Sequence, residues 1–320
     1  MKTLYPLKVS YVAKSRIWGG ENLVNLFGKE NGGENIGETW ELTVRDDEMS
    51  CITNGELSGM TLGKYIEDDK SVLGSKYDGG RFPLLIKFID AQDKLSVQVH
   101  PDDDYAAKYE KDPGKTEMWY IVDAKEGAKI VYGLADGISS EDFAKAVAEG
   151  RIDSVMGYTS VKKGETYFIP SRLLHAIGEG IIIAEIQQNS DLTYRVYDYD
   201  RRDDKGNLRE LHVEKSLDVV KPFSEEEINA IRFEAKDEQD DENTLAHCRY
   251  FRVKKLNVAE EMTLNTGNES FASILCIEGK ADIVFDGKEY EILAGDSYFI
   301  PAGLGEYKLK GNAEVIISSL

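Results

Sequence analysis

Cysteine is scarce in this 320-residue sequence: Cys51, Cys248 and Cys276 are the three, far apart and without C-x-x-C spacing. That excludes a disulfide framework and a thiolate zinc site, and it fits a reducing cytoplasm. No run approaches the roughly 20 apolar residues of a membrane span. The opening MKTLYPLKVSYVAKSRIWGG has no continuous apolar stretch, so a secretory signal is not expected. Positive charge is outnumbered, with 39 Lys and Arg against 59 Asp and Glu and a net charge of −20. Such a chain repels nucleic acid and anionic membrane surfaces, which makes neither a partner. An anionic small substrate is still compatible, provided a local basic cluster overcomes the global field. Histidine is nearly as rare, so imidazole chemistry must draw on His100, His175, His212 or His247.

What is present is a globular composition, 41% hydrophobic, over a length that allows about two domains. The stretch Leu95–Tyr120, LSVQVHPDDDYAAKYEKDPGKTEMWY, organises it. Leu95, Val97 and Val99 alternate with Ser96, Gln98 and His100, the period of a strand, and this puts Gln98 and His100 on one face. Pro101 ends that strand, a short helical pattern follows around Tyr105–Tyr109, and Glu117 opens the next strand. Downstream, Gly164 and Pro170 bracket a further strand and His175 follows the turn. Gln98, His100, Glu117 and His175 are donors that a borderline metal such as zinc accepts. Their order, Q-x-H, K-x-E, P-x4-H, resembles the ligand order of a cupin barrel. Any one of these residues alone would more often be a satisfied polar group at a strand end.

The rest of the chain reads as strands with few helices. Thr3–Val12 is an edge strand containing Pro6. Trp18-Gly19-Gly20 is a turn with a packed indole or a wall of the site. Thr61 caps a helix over Leu62, Tyr65 and Ile66, and Ser139 or Ser140 caps one carrying Phe143 and Val147. Lys87, inside the buried strand FPLLIKFID, either faces a ligand cavity or snorkels at the sheet margin. In DLTYRVYDYDRR, alternation places Thr193, Arg195, Tyr197 and Tyr199 on one side, and Arg195 could grip an anionic group. His212 falls on a helical pattern over Leu211–Val220. The acidic stretch Phe233–Asn243 has no apolar periodicity and reads as an interdomain linker, after which strands and turns continue, with a hairpin at Asp286-Gly287.

One repeat decides the architecture. GETYFIPS at 164–171 recurs as GDSYFIPA at 295–302, with five of eight residues identical. The expected fold is therefore mainly β: two cupin (jelly-roll) barrels, the first with helical insertions. The expected domains are a metal-binding catalytic one at 1–232, an acidic linker at 233–246 and a degenerate, metal-free barrel at 247–320. In the second copy His175 corresponds to Glu306 and Glu117 falls near Ser273, so at least two ligands are lost. That barrel would support or cover the first, or make a subunit contact as in a homodimer.

SVQVHPDD, GKTEMWY, IPSRLLHAIGEG, AEIQQNSDLTYRVYDYDR and LRELHVEKSLDV together resemble the type I mannose-6-phosphate isomerases of the shorter bacterial form. The resemblance runs from near the N-terminus to about residue 220, with a cupin tail after it. It implies one zinc ion per chain, held by Gln98, His100, Glu117 and His175. It also implies an active-site arginine at Arg195, site lysines at Lys115 and Lys87, a phosphate-binding serine at Ser96 and a catalytic glutamate at Glu185. The implied reaction interconverts mannose 6-phosphate and fructose 6-phosphate through a cis-enediolate. Two histidines are spent as ligands, so the proton carrier is expected to be Glu185 or Lys115, with Arg202 a further candidate phosphate contact. Two alternatives stand beside this reading: an iron-dependent cupin oxygenase, and a non-catalytic sugar-binding double barrel.

Overall fold

The structure, a computed structural model, describes residues 4–46, 48–202 and 206–320. Its most buried strands are Leu84–Ala91 (LLIKFIDA) and Ile181–Gln188 (IIIAEIQQ), each buried at every position. Runs this rich in Ile and Leu need cover on both faces. They lie at the centre of an antiparallel six-stranded sheet ordered Thr166–Ile169, Glu117–Ala124, Ile181–Gln188, Leu84–Ala91, Glu38–Leu42, Val12–Lys14. Its register puts Glu185 opposite both Lys87 and Trp119, and Trp40 opposite Lys87. One face is thus studded with ionisable groups while the other is mostly apolar, with Asp90 at its end.

A five-stranded sheet faces the polar side, ordered Met156–Ser160, Lys129–Leu134, His175–Ala176, Val97–Val99, Tyr194–Tyr197. His175 is directly opposite Gln98, and Gln98 is opposite Arg195. The helix Leu62–Asp68 is capped by Thr61, and the helix Ser140–Ala148 by Ser139 with a capping box to Asp142, as expected. Alternation fails at one place. A register shift between Arg195 and Tyr197 sets Tyr197 opposite Val97, so Tyr197 leaves the face that carries Arg195. His212 is the residue before the helix Val213–Val219, not within it, and its Nδ1 accepts from the Arg195 amide.

The C-terminal region, with one N-terminal strand, forms a seven-stranded sheet ordered Leu7–Val9, Ser297–Ile300, Ala272–Phe285, Gly305–Ser319, Arg252–Thr266, Thr244–His247, with Lys288–Leu293 paired to Ala272–Phe285. Asp286 and Gly287, both at positive φ, make the expected hairpin turn. The N-terminal segment is two strands, not one: Leu7–Val9 edges this sheet, whereas Val12–Lys14 edges the six-stranded one. The stretch read as a linker is tied down as well. Asp237 and Asp240 hold Arg252 at 2.9 and 2.6 Å, and Asp240 also meets His247 at 2.9 Å. Among the described residues no helix is long and apolar enough to cross a membrane.

The repeat is realised strand for strand. Thr166–Ile169 and Ser297–Ile300 occupy the same four positions, each after a glycine at φ near +90°. Ile169 pairs with Glu117 and Ile300 with Ala272, so Ala272 and not Ser273 holds the place of Glu117. Glu306 is exposed, and the inward residue after the second turn is Tyr307, opposite Leu264. Tyr307 hydrogen-bonds Thr266, two residues beyond Leu264, just as His175 meets His100, two residues beyond Gln98.

One buried lysine, ion-paired within the N-terminal part, also reaches the C-terminal sheet. Lys29 donates to Glu41 at 2.8 Å and to the Gly295 carbonyl at 2.7 Å. Replacing Lys29 by Met strands a buried carboxylate, and Lys29→Met is expected to cost about 3 kcal/mol. Adding Glu41→Leu should recover most of that loss in denaturant unfolding, and a double variant no more stable than the single one would contradict this account.

Candidate active site and metal centre

Three donor atoms converge between the facing sheets. His100 Nε2 lies 3.1 Å from His175 Nε2 and 3.2 Å from Glu117 Oε1. All three residues are buried. Two ligands on one ion at about 2.1 Å each stand a little over 3 Å apart, so these separations suit a common cation. His175 Nδ1 donates to the Leu173 carbonyl at 2.8 Å, which leaves Nε2 with its lone pair inward. Burial holds both imidazoles below their ordinary pKa, His100 down to about 3, so both present neutral nitrogen donors. Burial opposes ionisation of Glu117, but Lys115 and then His100 hold its carboxyl well below the usual range. The turn that delivers His175 is pinned from both sides. Arg172, at φ 76°, donates its amide to the His100 carbonyl and its Nε to the Val219 carbonyl.

A ladder of charge runs outward from these donors. Lys115 Nζ is 2.6 Å from Glu117 Oε1. Trp119 Nε1 donates to both Glu117 and Glu185, 2.9 Å each. Glu185 meets Lys87 at 3.2 Å, Lys87 meets Glu38 at 3.7 Å, and Glu38 accepts from Arg16 and Trp40 at 2.8 Å. Burial, then the charge of Glu117, raises the Glu185 carboxyl to about 7 against the pull of Lys87.

The ladder opens into a cavity of about 550 Å³ lined by Gln98, Ser96, Lys87, Lys115, Glu185 and Arg195, with Trp18, Thr193, Arg16 and Arg209 on its walls. Every expected site residue except Arg202 is therefore either in the donor cluster or on this cavity. Trp18 is a wall of the site. It is pressed there by a backbone approach that only glycine permits, since a Cβ on Gly19 would stand 2.5 Å from the Gly37 nitrogen.

Comparison with known proteins fixes the family. Residues 5–136 match the family model for the phosphomannose isomerase type I catalytic domain, and residues 241–320 match that for the mannose-6-phosphate isomerase cupin domain. The mannose-6-phosphate isomerase ManA of Bacillus subtilis is 40% identical over 99% of this chain and 100% of its own length. The chain belongs to the type I mannose-6-phosphate isomerase family. The enzyme from Streptococcus mutans is 35% identical over 98% of each chain. A crystal structure of the mannose 6-phosphate isomerase from Bacillus subtilis superposes with a TM-score of 0.88 at 33% identity, over 98% of this chain and 99% of that one. A mutant phosphomannose isomerase from Salmonella typhimurium shares the fold at a TM-score of 0.79 and 17% identity, over 98% of each chain.

Within this family member, some residues fall outside the expectations. Arg202 is exposed and bonds the Gly206 carbonyl, and Arg209 lines the cavity in its place. Glu179 is exposed. Glu38 and Arg209 were missed as site residues. A usable signal for Glu38 exists: a lysine inside an apolar strand demands a buried carboxylate on a neighbouring strand, and GETW supplies one.

Glu38 gives the site a pH signature. Burial raises its pKa, but Lys87 and Arg16 overcome this and pull it down to about 2. A depressed carboxyl stabilises the fold fully above its unfolded pKa of about 4.3 and loses that stabilisation as pH falls toward the folded value. Glu38→Gln should therefore be least stable relative to the parent above pH 5, the gap narrowing as pH falls below about 4. Denaturant melts across that range check it, and a gap independent of pH would refute it.

Proposed function

We propose that the chain interconverts mannose 6-phosphate and fructose 6-phosphate through a cis-enediolate, using one zinc ion held by His100, Glu117 and His175 with Gln98 beside them. Carrying this reading is the convergence of three buried donors at a cavity that also holds a carboxyl poised near neutrality. A bound divalent ion supplies Lewis-acid stabilisation of negative charge on the sugar oxygens. The protein's own residues do the rest. Glu185, its carboxyl pushed up by burial, takes the proton from one of the two adjacent sugar carbons and returns it to the other. Lys115 is committed to Glu117 at 2.6 Å, so it serves as that carboxylate's charge partner and Glu185 as the proton carrier. Lys87 keeps Glu185 oriented, Arg195 offsets charge on the enediolate or a neighbouring hydroxyl, and Ser96 meets the phosphate. We read the six- and five-stranded sheets as one cupin barrel, domain 1–232, and residues 247–320 as a second barrel without the ligand set. The three unpaired thiols fit a cytoplasmic enzyme.

A coupled assay for fructose 6-phosphate from mannose 6-phosphate tests this on the purified, chelator-stripped and zinc-restored protein. Turnover should disappear with the metal and return with zinc, and His175→Ala should lose both metal and turnover. Glu185→Gln should keep its zinc while kcat falls about 100- to 10,000-fold, the usual contribution of a positioned acid–base group. Sugar binding without turnover in the zinc-loaded protein would point to a sugar-binding double cupin, and oxygen uptake with iron to an oxygenase.

A further inference from the structure

A single indole N–H stands between the donor cluster and the proton carrier. Period 2 along Glu117–Ala124 puts Glu117 and Trp119 on the same face. Register then sets Glu185, on the next strand, opposite Trp119. The indole Nε1 donates to Glu117 Oε2 and to Glu185 Oε2, at 2.9 Å each. Lys115 Nζ holds the other oxygen of Glu117, Oε1, at 2.6 Å, so both oxygens of that carboxylate are tethered and its plane is fixed. Glu185 takes no second hydrogen bond among the described residues, and its Oε1 meets Lys87 at 3.2 Å in ion-pair contact only. The indole has little freedom of its own. It is fully buried, and its ring stands edge-on to the His175 imidazole, the centres 5.5 Å apart and the planes at 76°. Two carboxylates drawn to one rigid donor keep a constant separation, although their like charges repel.

We infer that Trp119 is a positioning residue whose one N–H fixes the plane in which Glu117 meets His100 and His175 and turns Glu185 so that Oε1 is left to take the proton. This rests on the isomerase reading and adds to it a residue that touches neither sugar nor metal. A hydrogen-bond partner behind a ligating carboxylate is commonly worth about 10- to 100-fold in metal affinity or activity. Here one proton serves both.

The full-length protein is compared with an analogue carrying benzothienylalanine in place of Trp119, which keeps the shape of the indole without its N–H, and with Trp119→Phe. Zinc affinity is read by competition with a chromophoric chelator, and kcat and KM for mannose 6-phosphate are read at saturating zinc. Both replacements should weaken zinc about 10- to 100-fold and, with zinc restored, lower kcat by a similar factor at nearly constant KM. In the Glu185→Gln background the analogue should still weaken zinc but lower kcat little further, because the group it would orient is gone. An equal kcat loss in both backgrounds overturns the inference, since Trp119 would then only support the fold. If Trp119→Phe folds poorly, the isosteric analogue decides alone: parental zinc affinity or parental kcat in it overturns the inference. A parent without turnover would sink the isomerase reading, and zinc affinity in the analogue then decides whether Trp119 holds Glu117.

Discussion

Buried charges of alternating sign, strung along one face of a sheet, set the terms for everything around them. Glu38, Lys87 and Glu185 follow one another across neighbouring strands, Arg16 joins Glu38 from the loop after the edge strand, and the Trp119 indole bridges Glu185 to the Glu117–Lys115 pair. Register makes the ladder unavoidable, because Lys87, Glu185 and Trp119 are direct cross-strand partners. Desolvating any one of these groups alone would be costly. Together they neutralise one another, and small asymmetries in that balance become chemistry. Glu38, with two cations, stays ionised far into acid, whereas Glu185, between Lys87 and the charge of Glu117, is held near neutrality.

The second copy of the motif meets the same packing problem without charge. Ala272 stands where Glu117 would, Leu264 where Gln98 would, and a Tyr307–Thr266 hydrogen bond replaces the meeting of two imidazoles. Those substitutions let that half close over its own apolar core, which includes Leu256, Ile274, Ile283 and Leu309. No ladder is needed there, because no buried donor set has to be kept in balance.

How much of this the sequence discloses depends on how local each signal is. His100, Glu117 and His175 were legible because strand alternation and motif order carry them. Thr61, Ser139 and Asp286-Gly287 were legible because caps and tight turns are written in two to four residues. The bulge after Arg195 was not, since nothing in TYRVYDYD marks where alternation breaks. Nor was the one-residue offset that brings Tyr307 inward and leaves Glu306 outside, because the repeat aligns without a gap. The contact of Arg209 with Ser96 joins residues 113 positions apart. Contacts at that range belong to topology and leave no local pattern.

Topology also explains why a sheet with a polar face needs a second body. Lys87 and Glu185 turn one side of the central strands toward the site, which leaves Ile86 and Phe88 on the other side to be covered. Phe88 stacks on Phe27 with ring centres 4.5 Å apart, and Phe27 packs against Gly295, where a Cβ would come within 2.6 Å of it. Phe271 and Phe299 of the C-terminal sheet belong to the same core cluster as Ile86 and Phe88. The strand carrying Lys87 is therefore clamped between its own charged ladder and the turn of the motif's other copy. Removing that backing would free the strand to shift, and a one-residue slip would carry every group of the ladder to the wrong face. The half without the donor set thus acts on the site through register, by fixing the sheet on which the ladder depends.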